Sequence, residues 1–419
     1  MREMKSSGVA WIGNIPKAWG LIRYKDKYKN SKEIAGDKSR SYERLALTLN
    51  GVIKRPKDDS DGLQPKEFDT YQVLHENDFV FKMIDLQNIS TSRVGLSPYT
   101  GLVSPAYIRF CPKNKKQYPR FIYYFLMSMY YNCVFNNLGG DGVRSALNSS
   151  DMGMLLIPYP IEIEQHRIAD YLDTACSKVN SLIVNQQTQI EKLKQYKQSL
   201  ITEVVTKGLN PDVPMKDSGV EWVGQIPEGW GTIRVKQLLR ERKERSTNGL
   251  EEPLSMSQKV GLIPTRMLDI ISNMASSFVG AKLTYVDDLV FNKLKAHLGV
   301  FSVSKYDGLV SPDYAVYYST GKASLKYLEY LFKTPQCISE FRKRSTGIAA
   351  GLTRLYTDGL FAIECPFPTI NEQWQIVDYL DDKCAKIDRL IAIKQEKIDK
   401  LNDYKKSLIY EYVTGKKEA

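Results

Sequence analysis

The chain has 419 residues, of which 42% are hydrophobic and 26% are charged, and its net charge is +11. This length is too great for one hydrophobic core and predicts two to four compact units. No stretch of 18 apolar residues occurs, and the N-terminal Met1-Arg-Glu-Met-Lys5 is not followed by an apolar signal core, so the sequence excludes a membrane-spanning class and predicts an intracellular, cytoplasmic protein. The basic surplus indicates a polyanionic partner, most often nucleic acid, with a generally basic surface as the alternative.

A motif near the N-terminus recurs in the second half of the chain. Residues 4–25 contain Ser-Gly-Val-Ala-Trp-Ile-Gly-Asn-Ile-Pro, and residues 215–236 repeat it as Ser-Gly-Val-Glu-Trp-Val-Gly-Gln-Ile-Pro. Two tryptophans and a proline predict a pinned loop that leads into a strand, with stacking of the tryptophans on bases as the alternative. The matched residues are Trp11, Pro16, Trp19 and Arg23 in the first copy and Trp222, Pro227, Trp230 and Arg234 in the second.

The two halves then diverge and become similar again. Residues 29–70 have no recognisable counterpart in residues 240–285. Such a pattern is expected when one scaffold recognises two different things, because the framework must fold whereas the reading surface need not match. The shared features are strand patterns at 77–81 and 287–291, Gly-Leu-Val-Ser-Pro at 101–105 and 308–312, strands at 107–110 and 314–318, aromatic helices at 119–135 and 323–341, and Gly-rich loops at 139–144 and 346–354.

A long helix is predicted twice, from Gln165 to Thr206 and from Gln373 to Thr414. The two copies are identical at 22 of 42 aligned positions, which indicates a tandem duplication. Each helix is expected to be about 60 Å long and to need a partner for its apolar seam, most economically the other copy. Thr369-Ile-Asn-Glu372 predicts a capping box at the start of the second copy. The predicted seam residues are Ile168, Leu172, Val179, Leu182, Ile190, Leu193, Leu200, Ile376, Leu380, Ile387, Leu390, Ile398, Leu401 and Leu408, with polar Gln186 and Lys394 at matching seam positions.

The predicted fold is therefore mixed α/β, with two similar globular domains and two long helices in an antiparallel coiled coil, related as a pseudo-two-fold tandem repeat. The predicted boundaries are 1–160 and 213–367 for the domains, and 161–212 and 368–419 for the helices.

Motifs for catalysis are not found in the sequence. It lacks a G-x-x-x-x-G-K-[ST] phosphate loop, a strand-anchored G-x-G-x-x-G and an Asn-Pro-Pro-aromatic motif, and its carboxylates form no repeated acid/base pair. The three histidines, His75, His166 and His297, have no second ligand at metal spacing, so no metal is expected. Cys176 and Cys384 occupy the same position in the two helices, where a small apolar packing role is predicted. The chain is predicted not to be an enzyme by itself.

Taken together, these features resemble the DNA-specificity (S) subunit of type I restriction-modification systems. The resemblance rests on the order domain, helix, domain, helix, on the repeated Ser-Gly-Val-x-Trp motif, on Glu-Gln after the Pro-x-Pro breaks, and on Tyr-Leu-Asp at 171–173 and 379–381. It implies that each globular domain is a target recognition domain for one half of a split DNA sequence, and that the helices separate the half-sites. It also implies two modification subunits, which hold S-adenosylmethionine and methylate adenine, and motor-nuclease restriction subunits that use ATP and magnesium. No cofactor is expected in this chain itself.

Double-stranded DNA is thus the expected ligand, with phosphates contacted by Lys and Arg and bases read by a few loop side chains. Arg144 and Arg354 are favoured because each lies in the Gly-rich loop of its domain, although a solvated surface cation is the alternative for every candidate. A coiled-coil scaffold that binds only proteins is the competing function, and a self-contained DNA-modifying enzyme would need a catalytic motif. The candidate DNA-binding residues are Lys54, Arg55, Lys57, Lys82, Arg93, Arg144, Arg266, Lys293, Lys295, Arg344 and Arg354.

Overall fold

The computed structural model describes residues 2–49, 51–59, 67–84, 86, 93–114, 117–138, 146–258, 260–268, 278–347 and 353–419. The chain divides into two compact units, one of Met1–Gln187 with Glu396–Ala419 and the other of Thr188–Gln395. Each unit contains one globular domain and a part of both long helices. The boundaries predicted from the sequence, which set each helix apart from the domains, stay a prediction.

The first unit is built from short strands, short helices and the beginning of a long helix. Its strands are β1 (Met4–Ser6), β2 (Asn14–Pro16), β3 (Gly20–Arg23), β4 (Tyr28–Asn30), β5 (Arg44–Thr48), β6 (Gly51–Arg55), β7 (Gln72–Leu74), β8 (Phe79–Lys82), β9 (Arg93–Leu96), β10 (Gly101–Val103), β11 (Ile108–Pro112) and β12 (Leu156–Tyr159). Its helices are α1 (Tyr24–Lys27), α2 (Arg120–Tyr131), α3 (Val134–Leu138), α4 (Ser149–Met154) and the start of α5 (Glu162–Lys207).

The second unit repeats this order. Its strands are β13 (Met215–Asp217), β14 (Gln225–Pro227), β15 (Gly231–Arg234), β16 (Leu239–Glu241), β17 (Leu254–Ser257), β18 (Gly261–Pro264), β19 (Lys282–Thr284), β20 (Leu289–Asn292), β21 (Phe301–Val303), β22 (Gly308–Val310), β23 (Tyr314–Ser319) and β24 (Glu364–Phe367). Its helices are α6 (Leu325–Phe332), α7 (Pro335–Arg344), α8 (Thr357–Phe361) and the start of α9 (Ile370–Val413).

The pairing of the strands is the same in the two domains. An antiparallel sheet has the order β4-β11-β8-β9 in the first domain and β16-β23-β20-β21 in the second. A second sheet, β6-β5-β10-β7, corresponds to the pairs β17-β18 and β19-β22, which are joined by the parallel bridge Pro253↔Leu309 where the first domain has Leu102↔Arg44. Every described strand of the first domain therefore has a counterpart in the second, which confirms the duplicated mixed α/β fold.

The region without recognisable sequence similarity adopts the same hairpin in both domains. In the first domain the hairpin is β5-β6 and in the second it is β17-β18. The amide of Leu102 donates to the carbonyl of Glu43, and that of Leu309 donates to the carbonyl of Glu252, both at 2.8 Å. A Cβ atom on Gly101 would lie 2.6 Å from the Glu43 carbonyl oxygen, so only glycine permits this approach. The two segments therefore share their backbone, although their sequences show no recognisable similarity.

The aromatic helix predicted as one element in each domain is interrupted. In the first domain it ends at Tyr131, and Cys133 adopts a positive φ of 55° before α3 begins. In the second domain Thr334 caps α7, and Pro335 occupies its first turn, where a missing N–H costs nothing. The continuous helices 119–135 and 323–341 were therefore wrong predictions.

The repeated tryptophan motif packs into the core as predicted. The indole of Trp19 is buried and donates to the Glu164 carboxylate at 2.9 Å, and the indole of Trp230 donates to Glu372 at 3.2 Å. Both glutamates lie in the first turn of a long helix. Trp19 and Trp230 therefore fix the domains onto the helices and are not available for base stacking.

The aspartate of the Tyr-Leu-Asp motif accepts a hydrogen bond from the globular domain in each unit. Tyr124 on α2 donates from its hydroxyl to Asp173 on α5, and Tyr330 on α6 donates to Asp381 on α9, both at 2.5 Å. Burial, together with the nearby Asp173 carboxylate, raises the pKa of Tyr124 well above its ordinary value. These bonds attach each globular domain to its helix.

The long helices α5 and α9 pack against each other in the antiparallel sense. In the first unit Tyr171 stacks on Tyr412 at 4.5 Å, and Lys405 donates to Asn180 at 2.8 Å. In the second unit Lys197 pairs with Asp388 at 2.6 Å, and the amine of Lys394 donates to the amide oxygen of Gln189. Residue numbers rise along one helix as they fall along the other, which confirms the antiparallel coiled coil.

The seam differs from the predicted one at a single pair of matched positions. Leu182 and Leu390 are each 48% exposed, whereas Gln186 is buried. Buried Cys176 precedes Val179 by three residues. The alternation of three and four therefore places half-buried Ile183, and not Leu182, at the next seam position. The predicted burial of Leu182 and Leu390 was wrong. The other predicted seam residues are buried, namely Ile168, Leu172, Val179, Ile190, Leu200, Ile376, Leu380, Ile387, Ile398 and Leu408, or half-buried, namely Leu193 and Leu401.

The Glu-Gln pair at the start of each long helix explains another part of the repeated pattern. Gln373 is fully buried, accepts from the amide of Ser324 at 2.9 Å and donates to the carbonyl of Pro368 at 3.0 Å. Gln165 donates in the same way to the carbonyl of Pro160 at 2.8 Å. The predicted capping box between Thr369 and Glu372 is also present.

We expect the Gln373→Ala variant to lose about 2–4 kcal/mol of unfolding free energy, because the half-buried amide of Ser324 and the buried carbonyl of Pro368 lose their partner. For a unit of this size the melting temperature should fall by roughly 5–10 °C. The measurement is thermal unfolding followed by circular dichroism. Asn371→Ala, at an exposed position of the same turn, is the matched control, and an equal shift in both variants would contradict the assigned bonds.

Candidate nucleic-acid interface

Three candidate cations of the first domain lie on the second strand of the β5-β6 hairpin or directly after it. Lys54 is half exposed, forms an ion pair with Glu43 at 2.6 Å and lies 5.2 Å from the centre of the Tyr99 ring. Arg55 pairs with Asp59 at 2.5 Å. The amine of Lys57 donates to the carbonyl of Ser39 at 2.9 Å. This part of the hairpin therefore carries three cations, each already held by an oxygen acceptor.

The corresponding hairpin of the second domain carries one candidate. Arg266 follows β18 in a short 3-10 helix, has 69% of its side chain exposed and pairs with Glu252 at 3.2 Å. Its partner Glu252 is at the position of Glu43, because the carbonyls of these glutamates accept from equivalent strands, from Leu102 on β10 and from Leu309 on β22. The acid is thus constant between the domains while the position of the cation varies.

The remaining candidates are found in other parts of the two domains. Lys82 and Arg93 are directly opposite each other on β8 and β9 and are partly buried. In the second domain the carbonyl of Lys293 accepts from the amide of Leu355 at 3.0 Å, which brings Lys293 beside Arg354, while Lys295 is exposed nearby.

Two further arginines have acidic partners, and one candidate is outside the described residues. Arg354 pairs with Asp313 at 3.3 Å, and Arg344, the last residue of α7, pairs with Glu340 at 3.5 Å. Arg144 and most of the two Gly-rich loops lie outside the described residues. The favoured pairing of Arg144 with Arg354 therefore stays a prediction.

Sequence reasoning missed the acidic partners of these cations. Glu43, Glu252 and Asp313 are each separated by ten or more residues from the cation they meet, as in Lys54, Arg266 and Arg354. Such ion pairs form only after the strands have aligned, so the local sequence does not predict them. The one related signal is the repeated Gly-Leu-Val motif, which forms the strand next to the hairpin.

Two arginines of the same region, one buried and one half-buried, serve the fold rather than a ligand. Arg109 on β11 is 4% exposed and pairs with buried Asp78 at 2.6 Å. In the second domain the equivalent acid, Asp288, pairs at 2.7 Å with Arg242, which follows β16 on the neighbouring strand. Burial of Asp78 raises the pKa of its carboxyl, and the Arg109 guanidinium opposes that shift. The two domains therefore form an ion pair at the same place with an arginine from a different strand. Breaking this pair would leave a buried aspartate without its partner, so we do not expect these arginines to contact DNA.

No cluster of three His, Cys, Asp or Glu side chains suited to a metal ion occurs among the described residues. The cysteines Cys176 and Cys384 are buried beside the seam, and burial raises the pKa of both thiols. Raised pKa values make these thiols poor nucleophiles, which fits a packing role.

Comparison with known proteins decides the family. Residues 27–192 match the model of the type I restriction modification DNA specificity domain. The type I restriction enzyme MjaVIII specificity subunit of Methanocaldococcus jannaschii is 22% identical over 96% of this chain and 93% of its own length. Residues 27–192 therefore belong to the type I DNA specificity domain family, and nearly the whole chain is similar to type I specificity subunits. A second relative from that organism, the putative type I restriction enzyme MjaX specificity subunit, is 24% identical over 73% of this chain and 69% of its own length.

A solved structure supports the fold of the specificity subunit. A chain described in work on complex assembly and conformational transition of the type I R-M system superposes with a TM-score of 0.64 at 13% identity, covering 95% of this chain and 98% of the other. The family model matches the first domain and the adjoining helix, and the strand-for-strand correspondence extends the same fold to the second domain. The family match and the relatives support a function of this chain in DNA sequence specificity. Within the described residues, no helix combines the length and the apolar character required to cross a membrane.

Proposed function

We propose that the specificity subunit reads a split DNA target, with one half-sequence recognised by each globular domain and the gap set by the helices α5 and α9. The observation that carries this proposal is the duplication itself: two domains share their strand order, while the hairpins β5-β6 and β17-β18 differ in sequence and in charge placement. Two readers of one fold with different surfaces suit two different half-sequences.

The helices are long enough to act as a spacer. At 1.5 Å per residue α5 extends roughly 70 Å, about two turns of duplex DNA. Buried polar Gln186 and partly buried Lys394 occupy matching seam positions, where polar groups fix the register of one helix on the other. A fixed register gives a fixed gap.

The docking of two modification subunits is supported by a pair of matching surfaces. In the first unit Tyr171, Leu182 and Tyr404 are 39%, 48% and 56% exposed on the helices. Their equivalents in the second unit, Tyr379, Leu390 and Tyr196, are 36%, 48% and 58% exposed. Large apolar side chains exposed at the same positions of both units fit two copies of one partner protein. The proposed assembly also includes restriction subunits and double-stranded DNA.

Within this assembly the specificity subunit directs reactions that its partners carry out. Adenine methylation with S-adenosylmethionine and ATP- and magnesium-dependent cleavage belong to the modification and restriction subunits, in the cytoplasm. The chain's own contribution is binding and positioning, through phosphate contacts that give register and a few base contacts that give sequence.

The test is the mapping of methylated adenines in cells that carry the modification subunit with or without this chain. We expect methylation only in the presence of the chain, at a motif of two short defined sequences separated by a gap of fixed length. The purified complex should also bind duplex DNA more weakly as salt rises. Methylation of one uninterrupted sequence, or binding that ignores both sequence and salt, would contradict the proposal.

A further inference from the structure

Each of the two hairpins has a glutamate at the same position, and attraction of DNA phosphates to the hairpin's cations gives no reason for it. Glu43 and Glu252 stand at equivalent places at the foot of β5-β6 and β17-β18, where their carbonyls accept from Leu102 and Leu309. Their side chains are 60% and 38% exposed and meet Lys54 and Arg266. The backbone at this point is fixed by a strand contact, so the carboxylates are presented at a constant place on an otherwise divergent surface.

Stability does not account for these ion pairs. A solvent-exposed pair of Lys or Arg with a carboxylate stabilises a fold by at most a small amount, because water screens both charges. The cation also differs in type and position, since Lys54 lies within β6 whereas Arg266 follows β18. What both domains keep is the pairing of one carboxylate with one cation.

Such a pair meets the two parts of DNA very differently. A backbone phosphate offers only acceptor oxygens and a negative charge, so it attracts the cation and repels the carboxylate. The edge of an adenine offers an amino donor beside an acceptor nitrogen, and a G·C pair offers an amino donor on cytosine beside the acceptors of guanine. A carboxylate next to a cation complements a base edge and opposes a phosphate.

We propose that Glu43 and Glu252 are specificity-determining residues, which restrain Lys54 and Arg266 from the phosphates and accept a hydrogen bond from the amino group of a target base. The proposal rests on the proposed function of the two domains. The Glu43 carboxylate also raises the pKa of Lys54, so the cation stays charged next to it. Each glutamate acts on one half of the target.

The experiment compares Glu43→Gln and Glu43→Ala in the complex with modification subunits. Binding is measured on a duplex that carries the mapped target and on a scrambled duplex of equal length, between 50 and 200 mM salt. Glutamine removes the negative charge but keeps an acceptor oxygen, so we expect unchanged affinity for the target and about two- to fivefold tighter binding to scrambled DNA. The slope of log affinity against log salt on scrambled DNA should steepen by about 0.9 for the released cation. Alanine also removes the acceptor, so target affinity should fall about fivefold or more.

Two further variants separate this role from a general change in charge. In Glu43→Gln combined with Lys54→Gln, the gain on scrambled DNA should disappear, because the released cation is gone. Glu3→Gln is the matched control, since it breaks the exposed pair of Glu3 with Lys17 elsewhere in the same unit. The test is repeated in the second domain with Glu252→Gln, with Glu252→Ala, and with Glu252→Gln combined with Arg266→Gln.

The inference is overturned if Glu43→Gln and Glu252→Gln behave like Glu3→Gln on both duplexes, or if the alanine variants keep full affinity for the target. Failure of the proposed function gives a different result, because the unaltered complex would then not distinguish the target from scrambled DNA at all.

Discussion

Insertion of seven residues into each long helix, after Gln187 in α5 and after Gln395 in α9, is expected to widen the gap between the half-sites and to leave both half-sequences unchanged. These are the points at which the two compact units divide. Seven residues restore the phase of the seam, so the inserted turns can pack as the existing ones do. They lengthen the helix pair by about 10 Å, which corresponds to about three base pairs.

Methylation mapping in cells checks this result directly. Because three base pairs also rotate the duplex by about 100°, we expect fewer modified sites and a lower extent of methylation at each. Insertion into α5 alone is the control, since it moves the seam residues of one helix past those of the other and should reduce assembly. Altered half-sequences with an unaltered gap would show that the helices do not set the spacing.

The duplication made most of the fold predictable from the sequence. Each strand pattern occurs twice, and a pattern such as Asp-Phe-Val-Phe81 gains weight when Asp-Leu-Val-Phe291 recurs in the same context. The two long helices were predictable because apolar residues recur over many turns. Their seam was misplaced at Leu182 and Leu390 because a leucine beside an isoleucine gives no local sign of which one faces the partner.

Other features depend on contacts that the local sequence does not show. The break at Thr334-Pro335 has a signal, since proline favours the first turn of a helix, but the left-handed Cys133 in the first domain has none. The sequence did not predict the common hairpin because the backbone carbonyls of Glu43 and Glu252 hold it in place. A backbone carbonyl accepts a hydrogen bond whatever the side chain of its residue is. For the candidate site, the cations were visible as residue types, whereas the acids that face them depend on strand alignment.

Replacement of residues 35–71 by residues 246–281 is expected to give a target in which both halves carry the sequence read by the second domain. The two segments are closed in the same way, by the bridge Ile34↔Gln72 in the first domain and Arg245↔Lys282 in the second. The amide of Ala35 donates to the carbonyl of Tyr71 at 2.8 Å, and that of Ser246 donates to the carbonyl of Ala281 at 2.9 Å, so the two ends of each segment are held together in the same way.

The exchange needs one compensating substitution in the neighbouring sheet. A Cβ atom on Gly95 would lie 2.5 Å from Leu47 of the native hairpin, whereas in the second domain Ser302 occupies this strand position and faces Gly261. The incoming hairpin carries the glycine, so Gly95→Ser should accompany it to fill the space that Leu47 leaves. The apolar face of the hairpin then meets Val80 and Val103, which match Val290 and Val310.

Methylation mapping of this exchange locates the reading surface. If the β5-β6 region carries the base contacts, the first half-sequence is replaced by the second while the gap stays the same, because the helices are unaltered. Exchange of residues 4–23 for residues 215–234 is the matched control and should leave both half-sequences as they were, since that motif packs against the helices through Trp19 and Trp230. Retention of the original first half-sequence in a folded exchange variant would assign the base contacts to other loops of the domain, which share its scaffold but lie outside the exchanged segment. The same result would remove Glu43 and Lys54 from the base-reading surface, so this exchange and the charge variants test one surface by independent means.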